Sequence, residues 1–108
     1  MLESPIQKQI LDYLKLTGIF HWRQNNMGVR RKGKWTKSKN TTKGVADIIA
    51  VYPFGQIVGI EVKSTDGVQS PDQKKFQAGL ELTGGVYLLV RSLDDVRSYF
   101  DAQIGAQR

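Results

Sequence analysis

The chain has 108 residues, 40% of them apolar and 24% charged, which suits one compact domain with a single core. Cysteine is absent and histidine occurs once, so disulfide staples, thiolate metal sites, cysteine nucleophiles and multi-histidine zinc centres are excluded. The formal net charge is +6, and it is concentrated: Arg23, Arg30, Arg31, Lys32, Lys34, Lys37, Lys39 and Lys43 fall in one stretch that holds no carboxylate.

Ser4-Pro5-Ile6-Gln7 reads as a helix start, with serine as cap, proline in the first turn and glutamine completing a capping box. Ile6, Ile10, Leu11 and Leu14 follow at helical spacing, and Gly18 is the expected stop. Ile19-Phe20-His21-Trp22 is short and aromatic and predicts a strand, with Trp22 in the core. From about Met27 to Lys43 there is little periodicity, and a loop is expected, with a hairpin around Gly33. Asp47-Ile48-Ile49-Ala50-Val51-Tyr52 and Gln56 to Lys63 are β-rich runs separated by Pro53-Phe54-Gly55, and together predict a hairpin.

Ser70-Pro71-Asp72-Gln73 repeats the capping-box pattern and opens a helix that buries Phe76 and Leu80 and ends at Gly84-Gly85. Val86 to Val90 is continuously apolar and predicts a central strand. Ser92, Asp94 and Asp95 open a last helix that buries Val96, Tyr99 and Phe100, and Ala102 to Arg108 are expected to fray. The order is an α/β sandwich with a central mixed β-sheet flanked by helices, a single domain over residues 1–108. No apolar run approaches the roughly 20 residues of a membrane span, and no leader pattern opens the chain, so a cytoplasmic protein is expected.

Chemistry concentrates on the predicted hairpin. Asp47 opens its first strand, and Glu61 and Lys63, two residues apart, stand on one face of the second. If the register places Asp47 across from them, two carboxylates and an ammonium meet at one strand end, and Val62 points the other way into the core. Two carboxylates hold a hard cation through oxygen, which points to Mg²⁺ or Mn²⁺, with positions left for water and phosphate. Such a cation polarises a scissile phosphate and acidifies bound water, while a lysine orients that water or offsets phosphoryl charge. Glu-x-Lys on a strand is also an ordinary solvent-facing pair. The apolar residues around it and the basic stretch just before Asp47 favour the catalytic reading. That stretch has the composition of a phosphate-backbone binder or of a solvated loop.

Gly44-Val45-Ala46-Asp47, followed by Ile60-Glu61-Val62-Lys63, resembles the signature of the PD-(D/E)xK nucleases. It is most similar to the virus-type replication-repair nuclease (VRR-NUC) domain, in the length of its stand-alone phage and bacterial members. Ala46 stands where the family usually has proline. The resemblance implies a restriction-endonuclease-like fold and a metal-dependent endodeoxyribonuclease in a bacterial or phage-infected cytoplasm. Asp47, Glu61 and the Val62 carbonyl would be metal ligands and Lys63 the catalytic lysine. Glu3 would be a further acid, ligating directly or through water, or else a charge suited to a helix N-terminus. Gln73 would approach the site, act as the capping partner of Ser70, or do both.

Ser64 and Thr65 are donors to phosphate or loop caps. The DNA-facing set is Arg23, Arg30, Arg31, Lys32, Lys34, Lys37, Lys39 and Lys43, with Trp35 as the stacking aromatic. The resemblance further implies a homodimer acting on branched DNA as a Holliday-junction resolvase does, with no small-molecule cofactor and no membrane. A flap or nicking nuclease and a partner-dependent restriction-like nuclease share the same site. A non-catalytic nucleic-acid-binding module would have no reason to keep acids facing a polyanion.

Overall fold

The computed structural model describes residues 2–24, 29–31, 34–36 and 42–106, with side chains described over 2–24 and 42–103. In chain order the elements are α1 (Glu3–Thr17), β1 (Phe20–Arg23), β2 (Val29–Arg31), β3 (Lys34–Thr36), β4 (Ile48–Tyr52), β5 (Gln56–Val62), α2 (Pro71–Leu82), β6 (Val86–Val90) and α3 (Leu93–Ala106). A single 3₁₀ turn, Pro53–Gly55, joins β4 to β5. No helix among the described residues is long and apolar enough to cross a membrane.

A four-stranded mixed sheet in the order β1-β4-β5-β6 lies between helices. β1, β4 and β5 are antiparallel neighbours, and β6 runs parallel to β5. Parallel strands cannot be joined by a tight turn, so α2 makes the crossover. β6 is therefore an edge strand, not the central one that its apolar run predicts. Helices α2 and α3 pack on it, and coverage by helices demands the same composition that a central position would. β5 takes the central place, with partners on both sides.

The pleat sorts the hairpin into two faces. Ile48, Ala50, Tyr52, Val58, Ile60 and Val62 join Ile6, Ile10 and Leu14 of α1 and Val96 and Phe100 of α3 in the main core. Tyr52 and Phe100 stack with ring centroids 5.7 Å apart. The other face is packed by α2, through Phe76 and Leu80 against Ile49, Tyr87 and Leu89. Close approach is possible because β5 has Gly59 there: a Cβ would lie 3.2 Å from both Ala46 Cβ and Leu80 Cδ2.

The helix ends depart from the sequence reading in two places. The α1 cap is Leu2, with no side-chain cap bond, and not Ser4. The helix starts early because Glu3 occupies its first turn and reaches the Ser64 N–H instead, at 3.4 Å. The α3 helix continues to Ala106 rather than fraying from Ala102. Its start is fixed at both ends of a box, with Asp95 N–H donating to Ser92 Oγ and Arg91 N–H donating to Asp95 Oδ2. At α2 the expected box is present in full, Ser70 and Gln73 each accepting the other's backbone N–H. Gly18 closes α1 in the left-handed conformation, as its position predicts.

Candidate active site

The β4–β5 ladder pairs Ile48 with Ile60, so one more step places Asp47 opposite Glu61. Residues directly opposite in an antiparallel pair share a face. Asp47, Glu61 and Lys63 are thereby brought to one end of the sheet on its α2 side. Asp47 is held from two directions. Its main-chain oxygen accepts from Gln24 N–H at 2.7 Å, tying it to the end of β1. Its Oδ2 accepts from Val62 N–H at 2.8 Å. The N–H and C=O of a strand residue project to the same side, so the Val62 carbonyl lies on this edge too, while its side chain is fully buried in the main core.

Glu61 is the unusual group. Its side chain is 2% exposed, and its Oε1 is buried with no hydrogen-bond partner. Lys63 Nζ stands 4.0 Å from its Oε2, too far for a hydrogen bond. Burial, then a hydrogen bond and charge repulsion from Asp47, push the Glu61 carboxyl up to about 8; Lys63 opposes the shift and Glu3 adds to it. Tyr87 stands on the same face, and burial pushes its phenol up to about 12, with the charges of Glu61 and Asp47 adding to the shift.

These residues fit a divalent cation. A buried carboxylate oxygen without a donor, pressed against a second carboxylate, is a poor structural feature and a good ligand. No group of three or more histidine, aspartate or glutamate side chains among the described residues is placed to share a metal. The donors available are thus the two carboxylates and the Val62 carbonyl. Glu3 belongs to the opposite layer, reaches over the strand end to Ser64, and acts on Glu61 through its charge.

Glycines and one arginine complete the frame, and the sequence pattern did not single out their roles. Gly44 has φ +72°, and a Cβ there would fall 2.3 Å from the Asp72 carbonyl carbon and 2.6 Å from Gln73 N. The glycine of G-x-x-D is therefore the point where the Asp47 loop rests on the start of α2. This contact also places Gln73, whose Oε1 is taken by the Ser70 N–H. Gly67 leaves room for the Lys63 stem, since a Cβ would meet Lys63 Cβ and Cδ at 3.3 Å. Arg91 donates to the carbonyls of Ser64, Thr65 and Gly67 and so clamps the loop that follows Lys63. Only the parallel pairing of β5 with β6 brings Arg91 to that loop, so no local pattern could have found it.

The basic stretch forms the expected hairpin: β2 and β3 pair with Arg30 opposite Trp35 and Arg31 opposite Lys34. These four residues are described by backbone alone, and Lys32, Lys37 and Lys39 lie outside the described residues. Arg23, at the end of β1 opposite Ile48, and Lys43, just before Gly44, are exposed. Trp22 is not in the core. It is 41% exposed, because α2 covers β5 and β6 and leaves β1 open on that face.

No family model matches the sequence, and no curated protein matches it. Solved structures do. One described as a VRR_NUC domain superposes with a TM-score of 0.64 at 19% identity, covering 92% of this chain and 94% of that one. Another, described as a VRR_NUC domain protein, gives a TM-score of 0.61 at 18% identity, over 94% of this chain and 86% of that one. The α/β fold expected from the G-V-A-D and E-V-K segments is the fold these structures share with the chain.

Proposed function

We propose that this protein is a divalent-metal-dependent endodeoxyribonuclease, a single nuclease domain over residues 1–108 that hydrolyses phosphodiester bonds in branched DNA of the four-way-junction kind. The observation that carries the reading is Glu61, a buried carboxylate with an unpartnered oxygen facing Asp47 and Lys63. A module that only binds nucleic acid gains nothing from acids at this position. The fold shared with VRR_NUC structures supports the same reading.

Asp47, Glu61 and the Val62 carbonyl would hold Mg²⁺ or Mn²⁺, with Glu3 behind them. When bound, such a cation polarises the phosphate and lowers the pKa of its water. Lys63 positions the attacking water or offsets charge on the phosphoryl oxygens, its stem fixed against Gly67. Gln73, over Gly44, orders the strand end on which Asp47 stands. Arg23, Lys43 and the cations between them grip the phosphate backbone, so binding weakens steeply with salt. A 108-residue protomer covers little DNA, and paired cuts need two sites, so the working form is a homodimer. The setting is the cytoplasm of a bacterium or of a phage-infected host.

The test is cleavage of a labelled four-way junction beside a matched linear duplex, with Mg²⁺, Mn²⁺ or chelator, for the wild type and Asp47→Ala. Paired symmetrical cuts in the junction alone, lost with chelator or without Asp47, are expected. Cleavage that persists in chelator or in Asp47→Ala overturns the assignment.

A further inference from the structure

On the α2 side of the sheet, no described helix covers the half formed by β1. Phe20 and Trp22 stand there, 70% and 41% exposed, with Ile57 of β5 also open at 41%. The register makes this the catalytic face: Trp22 pairs with Ile49 and Phe20 with Val51, the two residues that follow Asp47 on the same side of the pleat. Strand spacing and rise put the two Cα atoms about 8 Å and about 14 Å from that of Asp47. The rings form an edge-to-face pair with centroids 5.9 Å apart. The Trp22 indole N–H donates to Gln24 Oε1 at 2.7 Å, which fixes the plane of the ring. Gln24 in turn bonds to the Asp47 main chain, so the aromatic pair and the carboxylates share one support.

The surroundings select the occupant. The strand that carries the two rings leads directly into the eight-cation stretch, which ends at Lys43, four residues before Asp47. Lys43 and Lys75, together with Asp72, Phe76 and Leu80, line a cavity of about 520 Å³ on the flank of α2. Flat apolar rings on a strand that runs on into a cation-rich sequence match a partner that has flat π-faces and regularly spaced negative charge. Unpaired DNA bases have that chemistry; a paired duplex keeps its π-faces stacked inside.

We propose that Phe20 and Trp22 form a subsite that stacks bases opened at a branch point beside the scissile phosphate, so the enzyme favours branched DNA whose pairing is open near the cut. This rests on the reading of the neighbouring carboxylates as a nuclease site. The backbone positions of the subsite are set by the sheet, since β1 is its edge strand among the described residues.

The test separates binding from cleavage. Anisotropy in chelator compares a blunt duplex with the same duplex carrying an oligothymidylate overhang. The wild type should prefer the overhang, and Trp22→Leu, which keeps apolar bulk, should lose about tenfold in affinity for it while holding blunt duplex nearly unchanged. Trp22→Phe should retain most of the preference. In a Trp35→Phe background Trp22 is the sole tryptophan, and its fluorescence should be quenched by oligothymidylate. Equal loss on both DNAs, or no quenching, overturns the subsite and leaves the nuclease reading intact. A Trp22→Leu change that alters sedimentation but not DNA preference overturns it in favour of an interface between copies. If the wild type binds neither DNA, the subsite is overturned, while cleavage of the four-way junction with metal still decides the nuclease reading.

Discussion

The two faces of the β4–β5 hairpin are built from alternate residues of the same strands, yet they do different work. On the α1–α3 face, Ile48, Ala50, Val58, Ile60 and Val62 are entirely buried and make no polar demands. On the α2 face the same strands carry Asp47, Glu61 and Lys63 at one end, and beside them no described helix covers β1. One face supplies enough apolar burial to hold the sheet, at roughly 25 cal/mol per Å². That allows the other to keep a desolvated carboxylate that opposes folding when it is charged. A one-residue slip of β5 would exchange the faces, placing Glu61 in the core and Ile60 at the site.

The sharpest break of this comparison is between neighbours. Ile60→Ala should destabilise the fold by about 2–5 kcal/mol, with activity falling only as the protein unfolds. Glu61→Gln should abolish cleavage while leaving the folded structure in place, and should raise metal-free melting temperature at alkaline pH. Thermal melts and cleavage assays on the pair check this; a Glu61→Gln protein that cuts DNA removes Glu61 from the chemistry.

Gly44→Ala should be the next largest effect, because it strains both the backbone and the contact between the Asp47 loop and α2. A cost of about 2–4 kcal/mol is expected from the positive φ and the overlap with the α2 backbone. Denaturant titration measures it, and a neutral substitution would mean that the loop does not rest on the helix.

The third effect is a pH dependence. An ordinary glutamate carboxyl in the unfolded chain titrates near 4.5, and in the fold Glu61 titrates at about 8. Between these values the folded state binds more protons than the unfolded one, so metal-free stability should fall as pH rises across that window and level off above it. Magnesium binds the ionised form, so its stabilising effect should grow with pH and its binding should release a proton. Melting scans with and without Mg²⁺ test the sign; metal-free stability that rises from pH 5 to 8 would show that Lys63 already holds Glu61 ionised.

The smallest effect expected is at Gly67. A methyl there presses on the Lys63 stem at 3.3 Å. Gly67→Ala should lower turnover by up to about tenfold through misplacement of the ammonium, with DNA affinity in chelator unchanged. Lys63→Ala should cost more, about a hundredfold. Single-turnover rates decide between them, and equal losses would make Gly67 a structural residue of the loop.

Much of this was legible in the chain because the signals are local. Strand periodicity sufficed to put Glu61 and Lys63 on one face and Val62 on the other, and the β4–β5 register then met the condition that set Asp47 opposite Glu61. Capping chemistry located the start of α2 residue by residue, since a serine hydroxyl and a glutamine three residues on satisfy each other's backbone. The α1 cap misled because Glu3 is drawn to Ser64, sixty-one residues away in sequence. The chain order and the alternation of apolar residues determined the α/β layers, the hairpin and the shared face of Glu61 and Lys63. Tertiary structure alone decided that β6 is an edge strand, that Arg91 clamps the loop after Lys63, and that Trp22 faces outward beside the site. The first two depend on which strands pair and the third on which face each helix covers, long-range outcomes that a strand's own composition does not encode.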